Sequence, residues 1–113
     1  PQVPISRVMP DDAVAELRHY QRSIILSLSH DPKLDDMALM QALHTDAFYI
    51  GALGSKASSD KRRARLRQLD ISETELSKLH APVGLAIGSR TPAEIAIAIL
   101  ADLTARRNAY ADA

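Results

Sequence analysis

The chain alternates short, densely apolar runs with longer stretches in which apolar residues recur every three or four positions. Ser23 to Ser29, SIILSLS, is too short for a helix and predicts a buried strand. Phe48, Tyr49 and Ile50 predict a second strand, and Val83 to Ile87 a weaker third, broken by Gly84. Ile5 to Met9 is a candidate for one more short strand. Between these lie helical patterns. Two aspartates open DDAVAELRHY (residues 11–20). Pro32 and a group of aspartates open the stretch carrying Leu34, Met37, Leu39, Met40 and Leu43. A helix is predicted from about Ala57 to Leu69, and Ser72 with Glu75 then fits a capping box. Thr91, Pro92 and Glu94 form the N-cap, first position and capping-box acid of a final helix. Ile95 to Leu103 in that helix is apolar on nearly every side, the pattern of a helix covered on more than one face.

Strands alternating with helices predict βαβ units, a parallel sheet and an α/β fold. All strands then point the same way, so the segments that follow them share one edge. Those segments are His30–Asp31, Gly51–Lys56 and Gly88–Thr91, and open α/β sheets bind ligands at that edge.

The 113 residues make one domain, 1–113, large enough for its own core. Formal net charge is zero, which argues against nucleic acid or an anionic membrane surface as partner. One Phe, three Tyr and no Trp argue the same way for single-stranded nucleic acid. The absence of cysteine excludes disulfides and thiolate metal sites. No apolar run approaches the roughly 20 residues of a membrane span, and no signal peptide is visible, so the default expectation is cytoplasmic. The chain opens on Pro1, the expected mark of a piece of a longer protein.

Gly51-Ala52-Leu53-Gly54-Ser55-Lys56 is either a phosphate cradle at a helix N-terminus or an ordinary strand-to-helix turn. The GxxG spacing alone does not separate the two. Lys56, Lys61, Arg62, Arg63, Arg65 and Arg67 supply six of the 14 basic residues. Positive charge early in a helix opposes the dipole, and a bound anion would relieve that. Arg62 precedes Leu66 by four residues and shares its inward face, while Arg63 and Arg67 are expected to face solvent. His30 and Asp31 either contact a ligand, transfer a proton or hold a hard metal with Asp35, or else serve a turn and a helix cap. Gly88, Ser89, Arg90 and Thr91 form either a second anion-binding helix start or simple capping. A single histidine with carboxylates is poor evidence for a metal, and no Ser-His-Asp or Cys-His set can be assembled from spacing alone.

The motifs HDPKLDD, AFYIGALGSK and GLAIGSRTPAEIAIAILAD, in that order, resemble the C-terminal domain of the XdhC/CoxI family, accessory factors of xanthine dehydrogenase and carbon monoxide dehydrogenase. The resemblance runs from about Ser23 to Arg107. It implies a Rossmann-like domain that handles molybdenum cofactor (molybdopterin) and delivers it to a molybdenum hydroxylase apoenzyme, without turnover of its own. By position it points to His30, Asp31, Lys33 and Asp35, then to Gly51, Gly54, Ser55, Lys61 and Arg62, and then to Gly84, Gly88, Thr91, Pro92 and Glu94. Taken with the strand-end segments, the expected cofactor-binding positions are His30, Asp31, Gly51, Ala52, Gly54, Ser55, Lys56, Arg62, Gly88, Ser89, Arg90 and Thr91. Two positions depart from the family pattern: Ser59 stands where a histidine is usual, and Ala86 where an acid is usual.

The family's first glycine-rich βα unit is missing, so the expected fold is a partial Rossmann-like parallel sheet flanked by helices. Half a sheet exposes an edge and part of the Ile95–Leu103 helix. A homodimer, or the missing N-terminal portion, is the expected cover. The rival reading, an NAD(P)-binding half-domain of an oxidoreductase, lacks the loop that would hold the pyrophosphate.

Overall fold

The computed structural model describes residues 3–17, 22–29 and 31–111, the last two of these by backbone alone. Three strands form one parallel sheet in the order β1-β2-β3: β1 (Ile24–Ser27), β2 (Tyr49–Ala52) and β3 (Leu79–His80). The helices are α1 (Pro10–Ala15), α2 (Pro32–Leu43), α3 (Lys56–Gln68), α4 (Glu73–Leu76) and α5 (Pro92–Ala111). In register, Ile24 lies opposite Tyr49 and Ser27 opposite Ala52, while Ile50 lies opposite Leu79.

The two-residue period of β2 divides the core. Ile50 and Ala52 point into a cluster with Ile25, Leu39, Leu43, Leu66, Leu76 and Leu79, built on α2, α3 and α4. Tyr49 points the other way, to Val83 and Ile99, with Leu26, Phe48, Leu53, Ile95 and Leu103 packed around them beneath α5. Leu39, Leu43 and Leu66 have no exposed surface, so each adds about 1.5–3 kcal/mol of burial. Gly51 also faces α5. A Cβ there would stand 2.3 Å from Val83 Cγ2, so this glycine exists for packing.

Helix starts follow the local sequence. Asp31 accepts from the Lys33 and Leu34 amides, and Ser55 accepts from the Ser58 amide. Ser72 and Glu75 close a reciprocal capping box. Thr91 and Glu94 close another: the Glu94 amide donates to Thr91 Oγ1 (3.2 Å), and Glu94 Oε1 accepts from the amides of Thr91 (3.0 Å) and Arg90 (2.8 Å).

Several elements differ from the sequence expectation. The third strand is Leu79–His80, and Val83–Ile87 is irregular. Gly84 (φ +85°) sets this segment against α5: a Cβ on it would meet the Ala98 carbonyl carbon at 2.8 Å, and the Leu85 amide donates to the Ala98 carbonyl (3.1 Å). Backbone partners in a helix take the place of a ladder. Ile5–Met9 forms no strand; Ile5 is almost fully exposed and has no strand beside it among the described residues. The first helix spans Pro10–Ala15, beginning one residue before the expected 11–20, and residues 18–20 of that expectation lie outside the described residues.

Candidate functional site

The carboxyl ends of β1 and β2 are tied together by backbone and by a buried ionic network. The Leu53 amide donates to the Ser27 carbonyl (2.8 Å), which places the Leu53–Gly54–Ser55 corner beside the end of β1. Below it, Asp35 and Asp36 of α2 are both buried. Asp35 Oδ1 accepts from the Ser29 hydroxyl (2.6 Å), and its other oxygen lies 3.8 Å from Arg62 Nη2. Asp36 accepts from Arg62 Nε (3.3 Å) and from Arg65 Nε (2.6 Å) and Nη2 (3.2 Å). The third reach of Arg62 is to the Leu53 carbonyl (3.3 Å). Arg62 therefore lies inward beside Leu66, as its spacing required, and its charge is answered by two carboxylates.

The corner opens onto the first turn of α3. Gly54 has φ +156°, and a Cβ on it would lie 2.7 Å from Ser58 Oγ and 3.7 Å from Ser59 Oγ. Ser55 and Ser58 bond each other through their hydroxyls (3.1 Å). Ser59 is 1% exposed, and its hydroxyl has no partner among the described residues. The Ser27 hydroxyl, at the end of β1, is likewise buried and unpartnered among them. A buried polar atom without a partner costs about 1–3 kcal/mol, and of these two it is the Ser59 hydroxyl that lies by the Gly54 corner. Lys56 sits at the mouth and is strongly exposed, with Asp60 3.7 Å away.

The other expected positions divide. Asp31 is an exposed cap. Gly51 and Ala52 are buried, and the Ala52 carbonyl accepts from the Val83 amide (3.0 Å), so both serve packing and the sheet. His30 lies outside the described residues. Gly88–Thr91 is separated from β3 by the 81–87 loop. No hydrogen bond or ion pair among the described residues joins it to the Gly54 corner. There Gly88 has φ +74° with open space around it, and the Ser89 hydroxyl donates to the Glu94 carbonyl (3.2 Å). The amides of Arg90 and Thr91 hold the Glu94 carboxyl below the usual range. Hydrogen bonds and ion pairs among the described residues thus join two of the three expected segments.

Arg63 departs from its solvent-facing expectation. It donates to three backbone carbonyls, those of Leu76 (3.2 Å), Leu79 (2.9 Å) and Ala81 (3.4 Å), and so fastens α3 to β3. Arg67 is exposed, as expected, and pairs with Glu73.

Sequence reasoning missed a second buried polar cluster, on the α5 side of the sheet. The Tyr49 hydroxyl donates to Asp102 Oδ2 (2.6 Å), and Arg106 Nε lies 3.3 Å from Asp102 Oδ1. The His80 ring stacks on Tyr49, with centroids 4.3 Å apart and planes 3° from parallel. Burial first, and then the Asp102 carboxylate, push the Tyr49 phenol well above its ordinary range. Burial pulls His80 below 6.5; Arg106 and Arg63 act in the same direction and Asp102 against it. The signal for this cluster was present: Asp102 is the sole acid within the apolar stretch Ile95–Leu103.

A three-stranded parallel sheet with helices on both faces, and a glycine corner feeding a helix N-terminus, defines a Rossmann-like α/β domain. The family model described as the XdhC Rossmann domain matches residues 3–103, and the chain belongs to that family. The molybdenum cofactor insertion chaperone PaoD of Escherichia coli is 31% identical over 83 residues, which cover 74% of this chain and 26% of PaoD. A Bacillus subtilis protein, named as a probable xanthine dehydrogenase component, is 33% identical over 101 residues, 89% of this chain and 25% of that protein. The crystal structure of a xanthine dehydrogenase from Bacillus halodurans superposes with a TM-score of 0.67 at 32% identity, over 90% of this chain and 28% of that one. The chain thus spans about a quarter of the length of these relatives. No helix among the described residues is long and apolar enough to cross a membrane.

Proposed function

We propose that this domain serves in the maturation of a molybdenum hydroxylase, and that it holds the phosphorylated molybdenum cofactor by its phosphate at the Gly54 corner for delivery to the apoenzyme. The observation that carries the reading is the Ser59 hydroxyl, fully buried, without a partner among the described residues, and set beside Gly54 in the first turn of α3. A helix N-terminus offers free amides and partial positive charge to an anion, and a buried hydroxyl without a partner adds a donor in a low-dielectric setting. Family membership and the chaperone role named for PaoD support the choice of cofactor.

The residues present fit an oxyanion. The amides of Lys56 and Ala57, the first two of α3, and the hydroxyl of Ser59 would be its donors, with Lys56 at the mouth. Arg62 acts from beneath, holding the Leu53 carbonyl and so the pitch of the corner. Gly88, Ser89, Arg90 and Thr91 form a second contact set at the start of α5, for a more distant part of the ligand. When bound, the cofactor supplies the molybdenum centre that the client enzyme needs. This chain's own residues bind and orient it, and the role is delivery, without turnover.

The test is titration of the chain and its variants with molybdopterin. Ser59→Ala removes an orphan polar atom, so it is expected to raise the melting temperature slightly while weakening molybdopterin binding about tenfold. Arg90→Ala is expected to weaken binding without moving the melting temperature. Unchanged affinity in both variants would sink the assignment. Saturable binding of NADPH, with none of molybdopterin, would transfer the site to the nicotinamide reading.

A further inference from the structure

α2 and α3 cover the same face of the sheet, where Leu39, Leu43 and Leu66 meet Ile50. On their outer sides the two helices do not close over each other. Lys33, Met37 and Met40 of α2 face Arg65 and Leu69 of α3 across a groove of about 400 Å³, with Asp36 at its floor. Both walls repeat at three or four residues, so each is one flank of its helix. Met37 and Met40 are half-buried, and Leu69 is 46% exposed. The polar groups at the floor are already matched: Arg65 donates to Asp36 from Nε (2.6 Å) and Nη2 (3.2 Å). None of the buried polar atoms without a partner among the described residues belongs to the groove. A small-molecule site presents a few convergent polar groups. This groove presents two methionines, whose unbranched side chains adapt to an incoming apolar surface.

Charge is distributed unevenly along the groove. At one end Lys33 is exposed and has no ion pair among the described residues; Lys61, one turn before Arg65 on the same flank of α3, is in the same position. At the other end His44, one turn beyond Met40, is paired with Glu75 of α4 (2.6 Å), and Asp70 follows Leu69. The apolar length from Lys33 to Met40 is about 10 Å, two helical turns. We propose that this groove docks an amphipathic helix of a partner protein: its apolar side chains, spaced three or four residues apart, enter over Met37, Met40 and Leu69, and its carboxylates pair with Lys33 and Lys61. Charge complementarity decides the partner's chemistry. Two lysines on different helices stand free at one end, while the floor is neutralised from within, so the attraction comes from acidic groups at that end. A second copy of this chain is the poorer occupant, because an isologous contact sets one concave groove against another and leaves space between them. This inference stands on the outer face of α2 and α3 and is independent of the anion reading.

The probe is a fluorescein-labelled peptide of about 16 residues, long enough to be helical alone, with leucines on one face and glutamates at one end of that face. Fluorescence anisotropy follows its titration with the chain, and sedimentation velocity follows the chain alone. Saturable binding is expected, weakening as salt rises. Leu69→Asp, at an exposed position, is expected to weaken binding about tenfold while the melting temperature stays within a few degrees of the parent's. Lys33→Glu/Lys61→Glu, also at exposed positions, is expected to weaken it about tenfold and to prefer a second peptide carrying lysines in place of the glutamates. That exchange of preference is not produced by a loss of folding. Absence of saturable binding to the parent would overturn the proposal, as would binding that survives Leu69→Asp or a double-lysine variant that does not prefer the second peptide. A dimer of the chain alone that Leu69→Asp disperses would assign the groove to self-association. Saturable binding of dodecanoate, lost in Leu69→Asp, with none of the peptide, would assign it to an anionic amphiphile.

Discussion

Gly51→Ala is expected to lower stability by about 1–3 kcal/mol, because the new methyl overlaps Val83 Cγ2 in a filled layer. Gly88→Ala is the control: it has open space but a φ of +74°, so it carries only backbone strain, about 1 kcal/mol. Urea denaturation of both variants separates packing from conformation. His80 gives a pH prediction. Its folded pKa is depressed, so the native state holds it neutral while the unfolded chain takes up a proton near 6.5. Stability is therefore fully present above 6.5 and falls as pH drops below it; His80→Gln should flatten that slope in melting curves taken from about pH 7.5 to 5. At this scale the sequence was half legible. The inward direction of Arg62 followed from its four-residue spacing to Leu66. The role of Gly51 did not, because Val83 reaches it from a loop across the sheet.

Single helices of this chain show which signals are local. The boxes at Ser72–Glu75 and Thr91–Glu94 are closed by residues three apart, and both were readable before any fold was known. The α2–α3 pairing was not readable, since Asp36 meets Arg62 and Arg65 across a long stretch of chain. Truncating Asp36 leaves the buried Arg62 charge facing a single carboxylate, Asp35, at the longer distance, beside the Leu53 carbonyl. Asp36→Ala is expected to cost about 3–5 kcal/mol, measured by chemical denaturation. Arg67→Ala on the same helix removes an exposed pair and is expected to change stability by less than about 1 kcal/mol. The third strand escaped detection for the same reason: two residues carry no periodicity, and contacts from β2 and Arg63 define them.

Over the whole molecule, the order of strands and helices was legible from the alternation of apolar runs. The candidate site was legible only in outline, because joining the segments depended on where β3 ends. Arg63 then has a consequence for how the sheet can grow. Leu79 and Ala81, alternate residues on the far edge, both give their carbonyls to its guanidinium. A strand arriving on that side would find its acceptors already occupied by a side chain from the chain's own helix. The β3 edge thus carries a stopper that the chain's own helix supplies. Arg63→Ala should remove the stopper, so that the gain of a second edge would appear as concentration-dependent association in sedimentation velocity.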